Sequence, residues 1–214
     1  IAGRTRDVTL TNDNIHNAFL NDTATFDRYL FDDLRDTWAL METLAPAFYY
    51  ISQILKYPLW KTFTAGNATL WNHLLCRIYE NEMDYETAKS KADPKREYEG
   101  GLVIAQTGAF RQCHKIDVSS LYPSIMLQYC VHTRKDPQRY SLAYLKRFTE
   151  ERLRLKALAK QGDKEAEYLQ GAYKILINSY YGFLGTDGVG FNDMDAAERV
   201  TETGRDLLTI MIHA

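Results

Sequence analysis

The chain has no apolar run long enough to cross a bilayer: its best candidate, residues 39–60, is interrupted by Glu42 and Lys56. A membrane-spanning role is excluded on that ground, and a soluble protein is expected. It also lacks the cysteines for a disulfide framework. The three present, Cys76, Cys113 and Cys130, are odd in number, far apart and in no metal-ligand spacing, which fits a reducing, intracellular setting. No initiator Met or signal-peptide pattern opens the sequence Ile-Ala-Gly-Arg-Thr-Arg, so the first residue is read as an internal position. An excess of charge of either sign is missing too, the net value being −2 over 214 residues. That overall balance hides a basic region, since residues 111–160 hold eleven Lys or Arg against four Asp or Glu. Such a region is either a set of solvated helix faces or the footprint of a polyanion.

What is present is enough for a buried core, with 45% of residues hydrophobic. From Leu10 to about Glu80 the pattern is mostly helical. Leu30, Leu34, Trp38, Met41, Leu44 and Phe48 recur at three- and four-residue steps and predict a buried face. Pro46 is expected to kink that helix or end it near Ala45. Tyr29, Asp33 and Thr37 share another stripe of it. After Gly66, the residues Leu70, Trp71, Leu74 and Ile78 mark the apolar face of a further helix. Residues 84–97 are rich in Lys, Asp and Glu and lack a periodic apolar face, which reads as a mobile linker or surface loop.

Beyond it, Tyr98-Glu99-Gly100-Gly101 opens an apolar run, and residues 102–118 read as a β-hairpin around Thr107-Gly108. The paired glycines serve either a turn or the close approach of a nucleic-acid strand. Ile116 and Val118 suit a strand end, and Pro123, preset for the N1 position, suits a helix start. Asp117 between them is either a turn former and cap or a ligand for a hard cation. In the second case the backbone N–H groups of residues 120–124 are placed to receive phosphate oxygens. Residues 141–161 and 164–183 form two helices about the Gly162-Asp163 turn and predict an antiparallel hairpin that projects as an arm. Arg152 and Lys156 stand four apart on the first helix, Lys174 and Asn178 four apart on the second. Like charges at that spacing cost about 0.2–0.5 kcal/mol, offset either by Glu150 and Glu151 or by a bound anion such as a triphosphate.

The runs Asp117-Val-Ser-Ser-Leu-Tyr-Pro-Ser124 and Lys174-Ile-Leu-Ile-Asn-Ser-Tyr-Tyr-Gly182 resemble the first palm motif and the fingers motif of family B DNA polymerases. Tyr98-Glu-Gly-Gly101 is similar to the family's Tyr-x-Gly-Gly element, and Arg152-x-x-x-Lys156 to its other fingers pair. Tyr29-x-x-x-Asp33 resembles a motif of the proofreading exonuclease, and Val200-Thr201-x-x-Gly204-Arg205 the return from fingers into palm. The resemblance implies an α+β chain with a partial antiparallel palm sheet and a two-helix fingers arm, preceded by a mostly helical segment. Its divisions are residues 1–83, the end of an exonuclease domain; 84–97, a linker; 98–140, the first part of a palm; 141–183, fingers; and 184–214, a return into the palm.

The same resemblance implies that Asp117, with the Val118 carbonyl, binds catalytic Mg²⁺, two ions serving the complete enzyme. Leu121 and Tyr122 would lie against the incoming deoxynucleoside triphosphate, Tyr122 beneath its sugar. Arg152, Lys156, Lys174 and Asn178 would grip the triphosphate. Tyr98, Gly100, Gly101, Tyr181 and Gly182 would meet primer-template DNA, and Tyr29 and Asp33 would be an exonuclease remnant. A second palm motif with paired aspartates, and a thumb, do not occur before Ala214. The chain alone is therefore expected to be inactive, and a split polymerase acting as a DNA- or subunit-binding module is the alternative.

Overall fold

The computed structural model describes residues 6–105, 107–109, 111–114 and 117–213. Among them all regular structure is helical: α1 (Ile15–Asn21), α2 (Thr23–Leu55), α3 (Leu59–Thr64), α4 (Asn67–Asn81), α5 (Tyr85–Ala88), α6 (Leu121–Gln128), α7 (Tyr140–Ala159), α8 (Lys164–Leu184) and α9 (Met194–His213). The expected partial palm sheet, and with it the α+β class, is therefore overturned, because no described residue lies in a strand. Lys115 and Ile116, the expected strand end, lie outside the described residues. An isolated hairpin is at best marginal in water, and the described residues offer no further strand to bury this one. Val103 and Ile104 are accordingly 86% and 67% exposed. No helix among the described residues is long and apolar enough to cross a membrane.

The chain divides into two compact units, Ile1–Tyr49 and Tyr50–Ala214. In the first, the stripe expected to be core is open. Leu34 and Trp38 are 59% and 67% exposed, and Leu30, Met41 and Leu44 are exposed beside them. Periodicity shows that these residues share a face, and among the described residues no element of this unit covers it. Pro46 does not end the helix, which continues to Leu55 with the proline inside it.

The core of the second unit lies where α4 meets α8. Leu70, Trp71, Leu74, Leu75 and Tyr79 are buried along α4, and Leu176, Ile177, Tyr180, Phe183 and Leu184 along α8. The Trp71 Nε1–H donates to the Leu176 carbonyl at 2.9 Å, and its ring packs 4.6 Å from that of Tyr180. The α7/α8 pair forms over nearly the predicted spans. Asp163 caps α8 by accepting from the Ala166 N–H at 3.0 Å, while Phe148 of α7 meets Tyr173 of α8 at 5.4 Å.

The segment after α5 has no regular structure and is tied down by polar side chains. The Lys135 ammonium donates to the Lys91 carbonyl at 2.7 Å and pairs with Asp93 at 3.0 Å. Arg134 bridges Asp93 at 2.6 Å and Asp193 at 2.8 Å, and buried Asn192 donates to the Asp93 carbonyl at 3.1 Å. Arg96 reaches Asp195 and Glu198 of α9, each at 2.6 Å. These bonds carry the chain from α5 to the Tyr98 element.

One half-buried base makes stability depend on pH. The His73 ring of α4 lies tilted against that of Tyr57 at 4.1 Å, and its Nε2 is buried without a hydrogen-bond partner. Burial, with nearby Arg77, lowers its pKa. A histidine depressed in the folded state takes its proton more readily when unfolded. Stability is then complete above the ordinary value near 6.5 and falls as pH drops through it, by at most about 1.4 kcal/mol per unit. Urea unfolding at successive pH values is expected to show this slope, and His73→Gln to flatten it.

Candidate nucleotide and primer-template site

The helix carrying the candidate site begins in a strained turn. Ser120 sits in the left-handed region with φ 54° and ψ 51° and caps α6 without a side-chain hydrogen bond. Pro123 falls third in α6 instead of at N1, a place in the first turn where its missing N–H is no loss. The Ser124 N–H is committed to the Ser120 carbonyl at 2.9 Å, which leaves the amides of Ser120, Leu121 and Tyr122 as the donors at this helix start. Asp117 precedes the turn and is exposed, and among the described residues no ion pair engages it. Val118 is 39% exposed beside it.

The Tyr122 ring is caged. It packs 4.6 Å from Tyr181, whose hydroxyl lies 3.3 Å from that of Tyr98. Burial and this contact push the Tyr181 phenol up. A Cβ on Gly101 would stand 2.9 Å from the Tyr122 hydroxyl, and one on Gly204 3.2 Å from its Cε1, so both glycines leave space that the tyrosine fills. The Tyr98–Gly101 segment is held from α9. Arg205 donates to the carbonyls of Glu99 and Gly100 at 2.9 and 2.7 Å, and the Thr201 hydroxyl donates to that of Glu99 at 2.9 Å. Spacing gave no sign of these positioning roles for Thr201, Gly204 and Arg205, which join positions about a hundred residues apart.

Two clefts meet at Asn178. Ser120, Leu121, Tyr122, Pro123 and Asn178 line one of about 260 Å³. Asn67, Lys174, Ile175, Asn178 and Ser179 line another of about 420 Å³. Leu121, Tyr122, Lys174 and Asn178 thus share a continuous surface, with Lys174 and Asn178 exposed on α8. Arg152 and Lys156 of α7 border neither cleft. The Arg152 Nε is buried without a partner, and Lys156 is exposed. Gly182 is exposed, its carbonyl accepting from the Thr186 hydroxyl at 2.6 Å.

In the other unit, Tyr29 and Asp33 do meet. A hydrogen bond to the Asp33 carboxylate raises the Tyr29 phenol, and Arg6 pairs with Asp33 at 2.9 Å and Asp36 at 2.8 Å. Among the described residues no group of three or more His, Cys, Asp or Glu side chains could hold a metal ion. A lone Asp117 does not fit two Mg²⁺ ions, which demand near-octahedral oxygen shells.

Residues 134–213 match the family model described as DNA polymerase family B. The DNA polymerase of Pyrococcus glycovorans is 30% identical over 218 residues, covering 85% of this chain and 28% of that protein. The DNA polymerase of Thermococcus gorgonarius is 28% identical over 220 residues, covering 86% of this chain and 28% of its own. The structure of the family B DNA polymerase from the hyperthermophilic archaeon Pyrobaculum calidifontis superposes with a TM-score of 0.69 at 24% identity, over 96% of this chain and 31% of that one. At that identity the structural likeness speaks for the fold alone. The chain spans less than a third of the length of these relatives. The family match over residues 134–213 and the archaeal relatives agree, and over most of its length the chain is similar to family B DNA polymerases.

Proposed function

We propose that this chain is the nucleotide-gripping segment of a DNA-directed DNA polymerase, which extends a primer 3′-hydroxyl with deoxynucleoside triphosphates on template DNA. The observation that carries the reading is the continuous surface shared by Leu121, Tyr122, Lys174 and Asn178. Lys174 and Asn178 hold the triphosphate by charge and amide hydrogen bonds, and the α6 amides add donors at its phosphates. Arg152 and Lys156 complete the grip when the arm formed by α7 and α8 closes. Residues 98–140 and 184–214 act as palm and 141–183 as fingers, while 1–83, with Tyr29 and Asp33, are an exonuclease remnant joined through 84–97. Tyr98, Gly100, Gly101, Tyr181 and Gly182 line the path of the primer-template.

Asp117 and the Val118 carbonyl contribute to a divalent-metal site completed by carboxylates that the described residues do not supply. The purified 214-residue chain is expected to bind deoxynucleotides yet give no primer extension. Extension by the pure chain, lost in Asp117→Ala, would show that this chain completes the site itself.

The caged Tyr122 supplies a sharper test. The ring packs against Tyr181 and fills the space that Gly101 and Gly204 leave, and in this position it acts as a wall beneath the sugar. In the complete polymerase, Tyr122→Ala should raise the kcat/KM for ribonucleotides relative to deoxynucleotides on the order of a hundredfold. An unchanged ratio would remove Tyr122 from sugar selection.

A further inference from the structure

On another side of the same unit, a cavity of about 300 Å³ is lined by Ile54, Lys56, Arg77, Tyr144, Arg147, Phe148 and Tyr173. Its floor is aromatic. Buried Phe148 lies 5.7 Å from Tyr144 and 5.4 Å from Tyr173, ring centre to ring centre, and both tyrosines are half-buried. Its rim is cationic: Lys56 and Arg147 are exposed, and half-buried Arg77 is fixed by donating to the Leu55 carbonyl. Among the described residues no carboxylate lines it. The next acids along α7, Glu150 and Glu151, are paired with Lys146 at 4.0 Å and with Arg154 at 3.0 Å.

The cavity is separate from the clefts at Asn178. Tyr173 stands about 140° around α8 from Asn178 at 100° per residue, and the two sets of lining residues share no member. Three cations gathered around apolar rings repel one another unless an anion offsets them. A phosphate answers the rim, and a flat heteroaromatic base answers the floor, since stacking on aromatic side chains tolerates any base. Burial, with the charge of Glu151, raises the Tyr173 phenol against the pull of Arg147 and Arg154, so Tyr173 stays a neutral hydroxyl donor at ordinary pH.

We infer that this cavity is a second nucleotide site, taking a phosphate between Lys56, Arg77 and Arg147 and a base against Tyr144, Phe148 and Tyr173. The nucleotide arrives either free or as part of a single strand.

The test is calorimetric titration of the whole chain with deoxyadenosine monophosphate, inorganic phosphate and a short single-stranded oligodeoxyadenylate. Arg147→Glu and Lys56→Glu, both exposed substitutions, should each weaken the mononucleotide by about tenfold or more, while Lys160→Ala, at an exposed cation that lines none of these clefts, leaves it unchanged. Tyr144→Leu should weaken the mononucleotide and spare inorganic phosphate. Saturable binding of the mononucleotide alone identifies a free nucleotide as the source. Tighter binding of the oligonucleotide, lost to the same degree in Arg147→Glu, identifies a strand. The inference is overturned if neither nucleotide binds, if both rim variants leave affinity unmoved, or if inorganic phosphate binds as tightly as the mononucleotide. Binding that is lost in Lys174→Ala and kept in both rim variants lies in the clefts at Asn178 and likewise overturns the inference.

Discussion

Asp117→Ala, placed in the complete polymerase, should lower the single-turnover rate of primer extension by at least about a thousandfold while shifting deoxynucleotide affinity by no more than about threefold. The split follows from where the groups sit. Asp117 stands before the Ser120 turn, exposed and without an ion pair among the described residues, so its side chain is open to what binds there. Lys174 and Asn178, proposed to hold the triphosphate, lie on α8 and border clefts that Asp117 does not line. A group that stabilises charge developed only as bonds change lowers kcat when removed, whereas a group gripping the ground state raises KM. A thousandfold is about 4 kcal/mol of barrier, within what stabilisation of a transferring phosphoryl group supplies. Asp117→Glu keeps the charge and moves it by one methylene, and should recover little of the rate. Lys174→Ala should show the opposite pattern. If Asp117→Ala extends primers within about tenfold of the parent, the catalytic assignment is wrong.

The sequence made different parts of this arrangement legible for different reasons. The α7/α8 hairpin and the buried face of α4 could be read from helical periodicity, because their apolar stripes are long and a Gly162-Asp163 turn or Gly66 marks their ends. The same signal misled on α2, where Leu34 and Trp38 share a face that no described element of its unit covers. Periodicity reports which residues lie together, and coverage depends on a partner. The hairpin over residues 102–118 failed for a related reason, since a strand is satisfied by the strands beside it. The meeting of Leu121 and Tyr122 with Asn178 was suggested by family resemblance and not by spacing. The cage around Tyr122 had no local signal at all. Gly101 and Gly204 matter because of one ring that neither adjoins in sequence, and Arg205 acts on carbonyls more than a hundred positions upstream.

The largest effect on folding is expected at Trp71, which is 1% exposed where α4 meets α8. Its ring lies 4.6 Å from Tyr180, 5.7 Å from Phe148 and 6.4 Å from Phe183, and its Nε1–H donates to the Leu176 carbonyl. Trp71→Ala removes those contacts and leaves a cavity that the surrounding helices cannot close, at a cost of about 3–5 kcal/mol. That is a large share of the roughly 5–15 kcal/mol by which a domain is stable, so urea unfolding should shift far toward lower denaturant. Trp71→Phe keeps an aromatic ring and loses the N–H donor and some volume, and should cost about 1–2 kcal/mol. Trp38→Ala, at a side chain 67% exposed, should stay within about 0.5 kcal/mol. The contrast bears on function because α8 carries Lys174 and Asn178, and α4 is the layer against which α8 packs. In Trp71→Ala, nucleotide binding at the Asn178 clefts should therefore weaken at denaturant concentrations where the parent chain still binds. Equal midpoints for Trp71→Ala and the parent chain would mean that α4 does not hold α8 in place, and that the clefts owe their shape to the α7/α8 hairpin alone.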